Sequence, residues 1–514
     1  MPDADYTLYY VTGPVPEGVD FFESLEKACQ GGVTMVQIRE KTASTREFLT
    51  IAQKAKAITD KYSIPLLIND RLDIALAVGC GLHVGQDDFP AILARKLIGP
   101  DQLLGVSVNT AEELHEVLKD NVADYVGIGP VHATASKKDH NPKIGVRGVR
   151  DILELLGESS IKTVAIGGLN EDTVPNLVAQ SPAYIKSTGQ YRKLDGIACI
   201  SAISHHEDPK KSAQILSSML RSGPSIIRPP GQLRNAPSSE SLLQDMSALF
   251  SQLRATEPAV CHNITNQVVM NDTANLTLAF SSSPIMSGSP EEMADLGKII
   301  GALVLNMGTL NERQVQAATI AGQTANKLRK PVILDPVGVG ASQYRKGTMS
   351  QLMDDIHMTV IKGNAGEIGA ISGLSEVQTR GVDSAGGTFK DPAAVVRELA
   401  RREKTIVAMS GKIDYVSDGW TVVAIENGHE YQGEITGSGC MCSASIACHM
   451  TAMKGQENAF VATVAGIVSY NIAAELAGKR QDVKGPNTFR AALIDECYNL
   501  KVEDIQQHAR IRIL

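Results

Sequence analysis

Short apolar runs alternate with stretches of helical spacing from the N-terminus onward, and this alternation predicts an architecture before any single residue does. Tyr6–Val11 is a continuous apolar run, and Asp20–Gln30 carries apolar residues at helical intervals before a Gly31-Gly32 stop. Met35–Arg39 forms the next predicted strand, followed by a helix from Ser44 to about Tyr62. Pro65–Asn69, Gly81–Val84, Leu103–Ser107, Asp124–Gly127 and Thr163–Ile166 continue the series, each trailed by a helical segment, and Gly196–Ile200 supplies an eighth strand. Repeated β-then-α units imply a parallel sheet, and eight of them imply a (β/α)8 TIM barrel.

The alternation stops at Ser222–Ser239, where ten of eighteen residues are Pro, Gly or Ser and none is acidic. So long a segment without an apolar face is a tether between domains rather than a loop inside one. The chain therefore divides into a barrel at 1–221, a linker at 222–240 and a second domain at 241–514. That second domain opens with an amphipathic helix from Ser241, bounded by Pro258. Buried strands follow at Ala302–Asn306, Val332–Asp335, Thr359–Lys362 and Ile406–Ser410, and a hairpin joins Asp414–Ser417 to Trp420–Ile425. This is the pattern of a doubly wound α/β sheet, whose ligands lie beyond the carboxyl ends of the strands.

Charge and cysteine usage narrow the function class. The net charge of −8, from 57 acidic and 49 basic residues, argues against a nucleic-acid partner, which needs a basic face, and leaves room for local basic clusters that bind a phosphorylated small molecule. No signal-peptide layout is expected at the start of the sequence, and no apolar run is expected to span a bilayer, Val461–Ala474 being interrupted by Gly466, Ser469 and Asn471 and too short to cross. Eight cysteines without a CxxC pair suit a reducing compartment, so the expected location is the cytoplasm.

In a barrel of this kind chemistry gathers at the carboxyl ends of the strands. Gln37, Arg39 and Lys41 lie at or just beyond the second strand, Asn69 and Asp70 after the third, and Asp87 and Asp88 after the fourth. Ser107 ends the fifth, Thr134, Ser136 and Lys137 follow the sixth, Gly167 and Gly168 the seventh, and Ser201 the eighth. Singly these have plain readings, Asp70 and Asp88 as helix caps and Lys137 as a solvated charge. Their placement on one rim points instead to two carboxylates and three basic side chains around a magnesium-bound diphosphate. The late glycines and the backbone near Ser201 suit a second, metal-free phosphate.

The runs VQIREK, INDRLDIAL, GLHVGQDD, GVSVNT, YVGIGPVHATASKKD, AIGGL and ISAI, in this order between Tyr6 and Leu220, resemble thiamine phosphate synthase. The resemblance implies condensation of hydroxymethylpyrimidine diphosphate with a thiazole phosphate. It assigns Gln37, Arg39, Lys41, Asn69, Ser107 and Lys137 to the pyrimidine diphosphate and Asp70 and Asp88 to Mg2+. Thr134, Ser136, Gly168, Ile200 and Ser201 would hold the thiazole phosphate. Against the family's spacing Ser181–Asp195 is an insertion, and the apolar run Ala183–Lys186 inside it has no obvious place.

In the second domain the sharpest local signal is Ile435-Thr436-Gly437-Ser438-Gly439-Cys440 ahead of a small-residue helix, a loop whose amides can converge on an anion. Neither a Walker A lysine nor a full dinucleotide fingerprint is present. Cys440 at the helix start is expected to have a lowered thiol pKa, while Cys442 and Cys448 suit core packing. HNITNQVVMNDTAN, SPIMS, LVLNMGTLN, PVILDPVGVGAS, IKGNAGEI and ITGSGC resemble hydroxyethylthiazole kinase, of the ribokinase-like fold. The resemblance implies ATP as co-substrate with Mg2+, Cys440 as the catalytic proton acceptor for the substrate hydroxyl in the position where related sugar kinases carry Asp, and Met286 and Gly437 on the thiazole alcohol. It places Arg345, Ser410 and Asn364 at ATP and Glu367 near the metal, with Lys362 where many members have Arg. It also implies a homo-oligomer built on trimeric kinase contacts, with a hexamer if barrels pair as well.

The kinase product would be the acceptor for the synthase, so the two halves make chemical sense as one protein. A thiazole-tautomerising barrel fused to another vitamin or sugar kinase, or a non-catalytic ligand sensor, are the alternatives. Arg39, Asp70, Asp88 and Lys137 argue against the tautomerase, which has no diphosphate to hold.

Overall fold

In the computed structural model, which describes residues 4–133, 142–221, 238–373, 379–380, 383–384, 389–453, 455 and 458–514, contacts divide the chain into two units, Met1–Ser225 and Ile226–Leu514. The division falls inside the Pro/Gly/Ser-rich tether.

Eight parallel strands close the first unit into a barrel. They are Leu8–Val11, Met35–Ile38, Leu66–Asn69, Gly81–Val84, Leu104–Val108, Tyr125–Ile128, Lys162–Ile166 and Gly196–Cys199, the first pairing with both the second and the eighth. Side chains alternate in and out along each strand. The outward set, including Leu8, Val36, Ile38, Ile68, Leu82 and Val126, packs under the helices. The inward set forms a separate cluster of Tyr6, Tyr9, Val11, Met35, Leu67, Leu103, Tyr125, Val164 and Ala198. Helix entries are specified locally: Ser44 and Glu47 make reciprocal bonds at the start of Thr45–Lys61, and Thr110 and Glu113 do the same before Ala111–Asp120.

The insertion resolves into a hairpin, Ala183–Ile185 against Gln190–Arg192, outside the barrel. It precedes the eighth strand and so belongs to the end opposite the mouth. Arg192 closes that end by donating to the carbonyls of Gly157, Ser159 and Ile161 at 2.8, 2.6 and 2.6 Å. Arg192→Ala leaves three carbonyls short of a donor and is expected to lower stability by about 1–3 kcal/mol. Thermal unfolding should register that loss while the barrel's KM values stay unchanged.

The second unit is a nine-stranded sheet. Its order is Ser283–Ile285, Val260–Ile264, Ile300–Asn306, Val332–Asp335, Val360–Asn364 and Ile406–Ser410, all parallel, then Asp414–Ser417, Val422–Ile425 and Ile511–Ile513, all antiparallel. Two apolar clusters cover its faces, as a doubly wound fold requires. Helix Ala459–Gly478 corrects the reading of Val461–Ala474: at 20 residues it is long and apolar enough to cross a membrane by length and composition. It is instead a core helix, packed among Ser438–Thr451, Pro486–Asn499 and Ser239–Ala255 with 83% of its apolar window buried. A membrane span would show lipid a continuous apolar face; this one shows it to protein.

Candidate active sites

One cavity opens at the carboxyl ends of the barrel strands, and Gln37, Arg39, Lys41, Asn69, Asp70, Asp88, Ser107 and Ile200 all line it. Asp70 sits between the third strand and its helix with φ of 62°, a left-handed conformation that a side chain other than glycine adopts at a cost. Its amide donates to His83 O at 2.8 Å, which holds the turn and aims the carboxylate at Lys41, whose ammonium lies 2.5 Å away. Asp88 meanwhile accepts the amide of Gly85 at 2.7 Å.

The two carboxyls face each other. Burial opposes ionisation of Asp70, but hydrogen bonding to Asp88 and the Lys41 charge outweigh it and hold its carboxyl below the usual range. Asp88 is pushed up, by burial first and then by Asp70. Such a pair is relieved by a cation between them. Among the described residues no cluster of three or more His, Cys, Asp or Glu could cage a metal. Two carboxylates fit Mg2+ that completes its shell with water and phosphate oxygens. Arg39 Nε is buried without a protein partner, so the guanidinium is available to an anion.

Gly168 follows the seventh strand at φ of +63°, and a Cβ there would come within 2.7 Å of His132 Cβ, so only glycine lets the backbone pass. Ser201 starts the short helix Ser201–Ser204 after Ile200. Thr134, Ser136 and Lys137 lie outside the described residues.

In the second unit Cys440, in the first turn of helix Ser438–Thr451, meets the ends of three strands. Asn306 Nδ2 and Asn266 Nδ2 donate to its sulfur at 3.1 and 3.4 Å. Asn306 Nδ2 also donates to Asp335 Oδ2 at 2.9 Å, an oxygen that Ser443 Oγ approaches to the same distance. The expected lowering of the thiol pKa does not occur. Burial, followed by the Asp335 charge, pushes Cys440 up to about 12, outweighing Lys362 and the two amide donors. The helix-terminus field that motivated the expectation is real but small beside desolvation.

Lys362 is buried and donates to Gly439 O at 2.9 Å, tethering the glycine loop. Gly437 adopts φ of +86°, and a Cβ there would lie 2.2 Å from Val269 Cγ1. Glu367 accepts the amides of Asn364 and Gly338 at 2.8 and 3.0 Å, while Asn364 Oδ1 caps the same helix by accepting from Glu367 N. Burial, then Asp335, raises Glu367 to about 7. A buried acid whose charge is opposed by a neighbouring carboxylate suits a divalent cation here too. Arg345 donates to the carbonyls of Met307, Val337 and Gly308, bracing the loops beyond two strands. Ser410 Oγ donates to Gly363 O at 3.3 Å, and Met286 follows strand Ser283–Ile285, half-buried.

Comparison with known proteins divides the chain where the contacts do. A model of the thiamine monophosphate synthase family matches residues 8–203, and a model of the hydroxyethylthiazole kinase family matches residues 250–503. A "probable thiamine biosynthetic bifunctional enzyme" of Schizosaccharomyces pombe is 38% identical across 98% of this chain and 96% of its own length. The chain belongs to this bifunctional thiamine-biosynthetic family. The thiamine biosynthetic bifunctional enzyme of Saccharomyces cerevisiae is 34% identical over 97% of this chain and 96% of its own. A hydroxyethylthiazole kinase of Desulforudis audaxviator, 44% identical, covers 54% of this chain and 98% of its own.

Several residues of this bifunctional chain's sites escaped the sequence reading. Tyr9, His83 and Tyr125 line the barrel cavity, and Asn266, Asn306, Asp335 and Ser443 surround Cys440. The barrel set had a signal: each polar side chain stands at an inward position of an otherwise apolar strand. The kinase set lies within the quoted motifs, but nothing local distinguishes a buried asparagine at a site from a cap.

Proposed function

We propose that this chain makes thiamine phosphate in two steps. Its second unit phosphorylates hydroxyethylthiazole with ATP, and its barrel joins the thiazole phosphate to hydroxymethylpyrimidine diphosphate. Likeness to both fungal bifunctional enzymes over nearly the whole length supports this reading. The observation that carries the barrel half is the convergence of Gln37, Arg39, Lys41, Asn69, Asp70, Asp88 and Ser107 on one cavity.

In the synthase step the bond between the pyrimidine methylene and the diphosphate oxygen breaks, and its electron pair leaves with pyrophosphate. The thiazole nitrogen lone pair then forms the new C–N bond. Charge develops on the departing diphosphate, so groups that bind it more tightly as it leaves lower the barrier. Arg39 and Lys41 do this from the rim, joined by Lys137. Asp70 and Asp88 would hold Mg2+, which supplies further positive charge to the leaving group. Gly168, Ile200 and Ser201, with Thr134 and Ser136, hold the thiazole phosphate opposite, where Gly168 lets backbone approach the ligand.

In the kinase step the alcohol oxygen bonds to the γ-phosphorus of ATP as the bond from that phosphorus to the β,γ-bridging oxygen breaks, its electron pair leaves with ADP, and the hydroxyl proton passes to the transferred phosphate. Phosphoryl transfer of this kind asks little of a base, because charge stays largely on the transferring group. Cys440, protonated at neutral pH, orients the alcohol beside Met286 and Gly437 rather than deprotonating it in advance. The Gly437–Gly439 amides steady the phosphate, and Lys362 fixes that loop. Arg345, Ser410 and Asn364 lie on the ATP side, and Glu367 near the metal. A carboxyl holds a cation only after losing its proton, so magnesium-nucleotide affinity should fall as pH drops through about 7. Calorimetry on either side of that pH should also register proton release on binding near 7, and a flat profile would remove Glu367 from the metal site.

Assembly and location follow the same reading: a homo-oligomer with trimeric kinase contacts, extended to a hexamer by barrel pairing, in the cytoplasm.

Each half is tested alone. Thiazole phosphate and pyrimidine diphosphate with Mg2+ and no ATP should yield thiamine phosphate and pyrophosphate; the thiazole alcohol with ATP should yield ADP and thiazole phosphate. Folded protein that fails the first assay has no synthase, and one that fails the second has no kinase.

A further inference from the structure

Gly466, Ser469 and Asn471 interrupt the apolar run of helix Ala459–Gly478, and each meets a specific neighbour. Gly466 lets helix Ser438–Thr451 come close, since a Cβ there would lie 2.7 Å from Ile446 Cα, and its carbonyl accepts from Ser445 Oγ at 2.8 Å. Ser469 Oγ meets His449 Nε2 at 3.1 Å. These two contacts pack one helix on the other. Asn471 does something different: it is buried, and its carboxamide reaches three other segments at once. Nδ2 donates to Asp414 Oδ2 at 2.7 Å and to Asn427 O at 3.0 Å, while Oδ1 accepts from Gln432 Nε2 at 3.1 Å.

Asp414 passes the contact on. Its Oδ1 accepts from Gly411 N at 2.9 Å, closing the turn that follows Ser410. Burial pushes the Asp414 carboxyl up to about 6, against the hydrogen bonds from Gly411 and Asn471. An ionised carboxylate and a peptide carbonyl only accept, so the Asn471 carboxamide has one orientation, NH2 toward Asp414 and Asn427 and oxygen toward Gln432. Gln432 is fixed in turn, its Oε1 accepting from His429 N at 2.8 Å. The preceding residue of the helix reaches the other loop. Tyr470, also buried, meets Ser438 Oγ through its hydroxyl at 3.0 Å, and Ser438 stands between Gly437 and Gly439. Consecutive residues of one core helix are thus tied to the turn after Ser410 and to the loop ahead of Cys440.

We propose that Tyr470 and Asn471 are positioning residues of the kinase, fixing the spacing between the turn that receives the nucleotide and the loop that steadies the transferring phosphate. The proposal rests on the kinase reading of this unit, with Ser410 on the ATP side and the glycine loop at the phosphate, and adds what holds the two in register. Both residues act through others, Asn471 through Asp414 and Gln432 and Tyr470 through Ser438. Phosphoryl transfer depends on placement more than on acid–base help, so an error in the spacing of these loops falls directly on the reaction. The two links bear on different steps. Asn471, by way of Asp414 and Gly411, acts on nucleotide held in the ground state and so on KM. Tyr470, by way of Ser438, acts on the phosphate as it transfers and so on kcat.

The test is steady-state kinase kinetics of the full chain with the thiazole alcohol, ATP and Mg2+, alongside synthase turnover on preformed thiazole phosphate. Asn471→Leu suits the apolar helix and removes all three bonds. It should raise KM for ATP by about tenfold or more, the scale of a lost buried bond to a charged group, and leave KM for the thiazole alcohol unchanged. Tyr470→Phe removes one hydroxyl at constant shape and should lower kcat by about tenfold with KM for ATP unchanged. Both variants should keep wild-type synthase turnover. Residues that served stability alone would lower the melting temperature and leave kcat and KM of the folded protein where they were. Should Asn471→Leu not accumulate as folded protein, Asp414→Asn sets donor against donor at the same link and carries the same expectation. Losing an acid near an anionic nucleotide would by itself lower KM, so a rise there reports geometry. Unchanged constants in either folded variant, or a KM for the thiazole alcohol that rises as much as that for ATP, overturn the proposal and leave the kinase standing. A wild type that forms no ADP and thiazole phosphate overturns the kinase reading beneath it.

Discussion

Asp70→Asn is expected to reduce thiamine phosphate formation by about 10²–10³-fold in kcat/KM, the scale set by losing one charge-stabilising group at a leaving anion. The kinase half-reaction of the same chain should be unaffected. Asn keeps the shape and the left-handed backbone at φ of 62° but cannot pair with Lys41 as a carboxylate does or hold a cation opposite Asp88. Asp70→Gly separates function from strain. Glycine relaxes the backbone, so this variant should melt no lower than wild type and yet be as inactive as Asp70→Asn. Steady-state pyrophosphate release with thiazole phosphate supplied measures both. If either variant retains wild-type turnover, the carboxylate pair is a structural turn and the diphosphate lies elsewhere.

The second large effect is expected in the other unit. Gly437→Ala puts a methyl group where Val269 Cγ1 lies 2.2 Å away and forces alanine into φ of +86°. The backbone term alone is about 1–2 kcal/mol, and the clash displaces the loop ahead of Cys440. Kinase kcat/KM should drop by about 10²-fold, the cost of a small misplacement of positioning groups. Synthase turnover with preformed thiazole phosphate should be unchanged. Val269→Ala in the same background clears the space and should recover part of the loss. Full kinase activity in Gly437→Ala would mean the loop does not cradle the phosphate.

Much of this was legible along the chain because hydrophobic period and turn chemistry agreed. Gly81–Val84, Val332–Asp335, Ile406–Ser410 and Asp414–Ser417 occupy the positions their patterns indicate. Val260–Ile264 was not legible. It lies inside the sheet yet carries His262 and Asn263, and His262 is accommodated by bonding across space to Ser287 O. Ile511–Ile513 escaped because an edge strand of alternating Ile and Arg has no buried run to announce it. The hairpin inside Ser181–Asp195 looked displaced for a good reason: it is held by Arg192 against backbone carbonyls rather than by the barrel ladder.

At the sites, spacing indicated which residues share the barrel rim, because carboxyl ends of parallel strands are a topological address. It could not indicate their protonation. Cys440 stands where the local rule predicts an acidic thiol, and burial next to Asp335 reverses the sign. Nor could it show that Gln37 and Ser107 are joined, since the joining residues Tyr9, Tyr125 and His83 come from three further strands.

The most direct measurement is a single vessel holding the purified full chain, the thiazole alcohol, hydroxymethylpyrimidine diphosphate, ATP and Mg2+, with products followed by phosphorus NMR. ADP, pyrophosphate and thiamine phosphate should appear in equal amounts, with thiamine phosphate absent when ATP is withheld. Thiazole phosphate that accumulates without thiamine phosphate, in protein whose barrel is folded, would contradict the account.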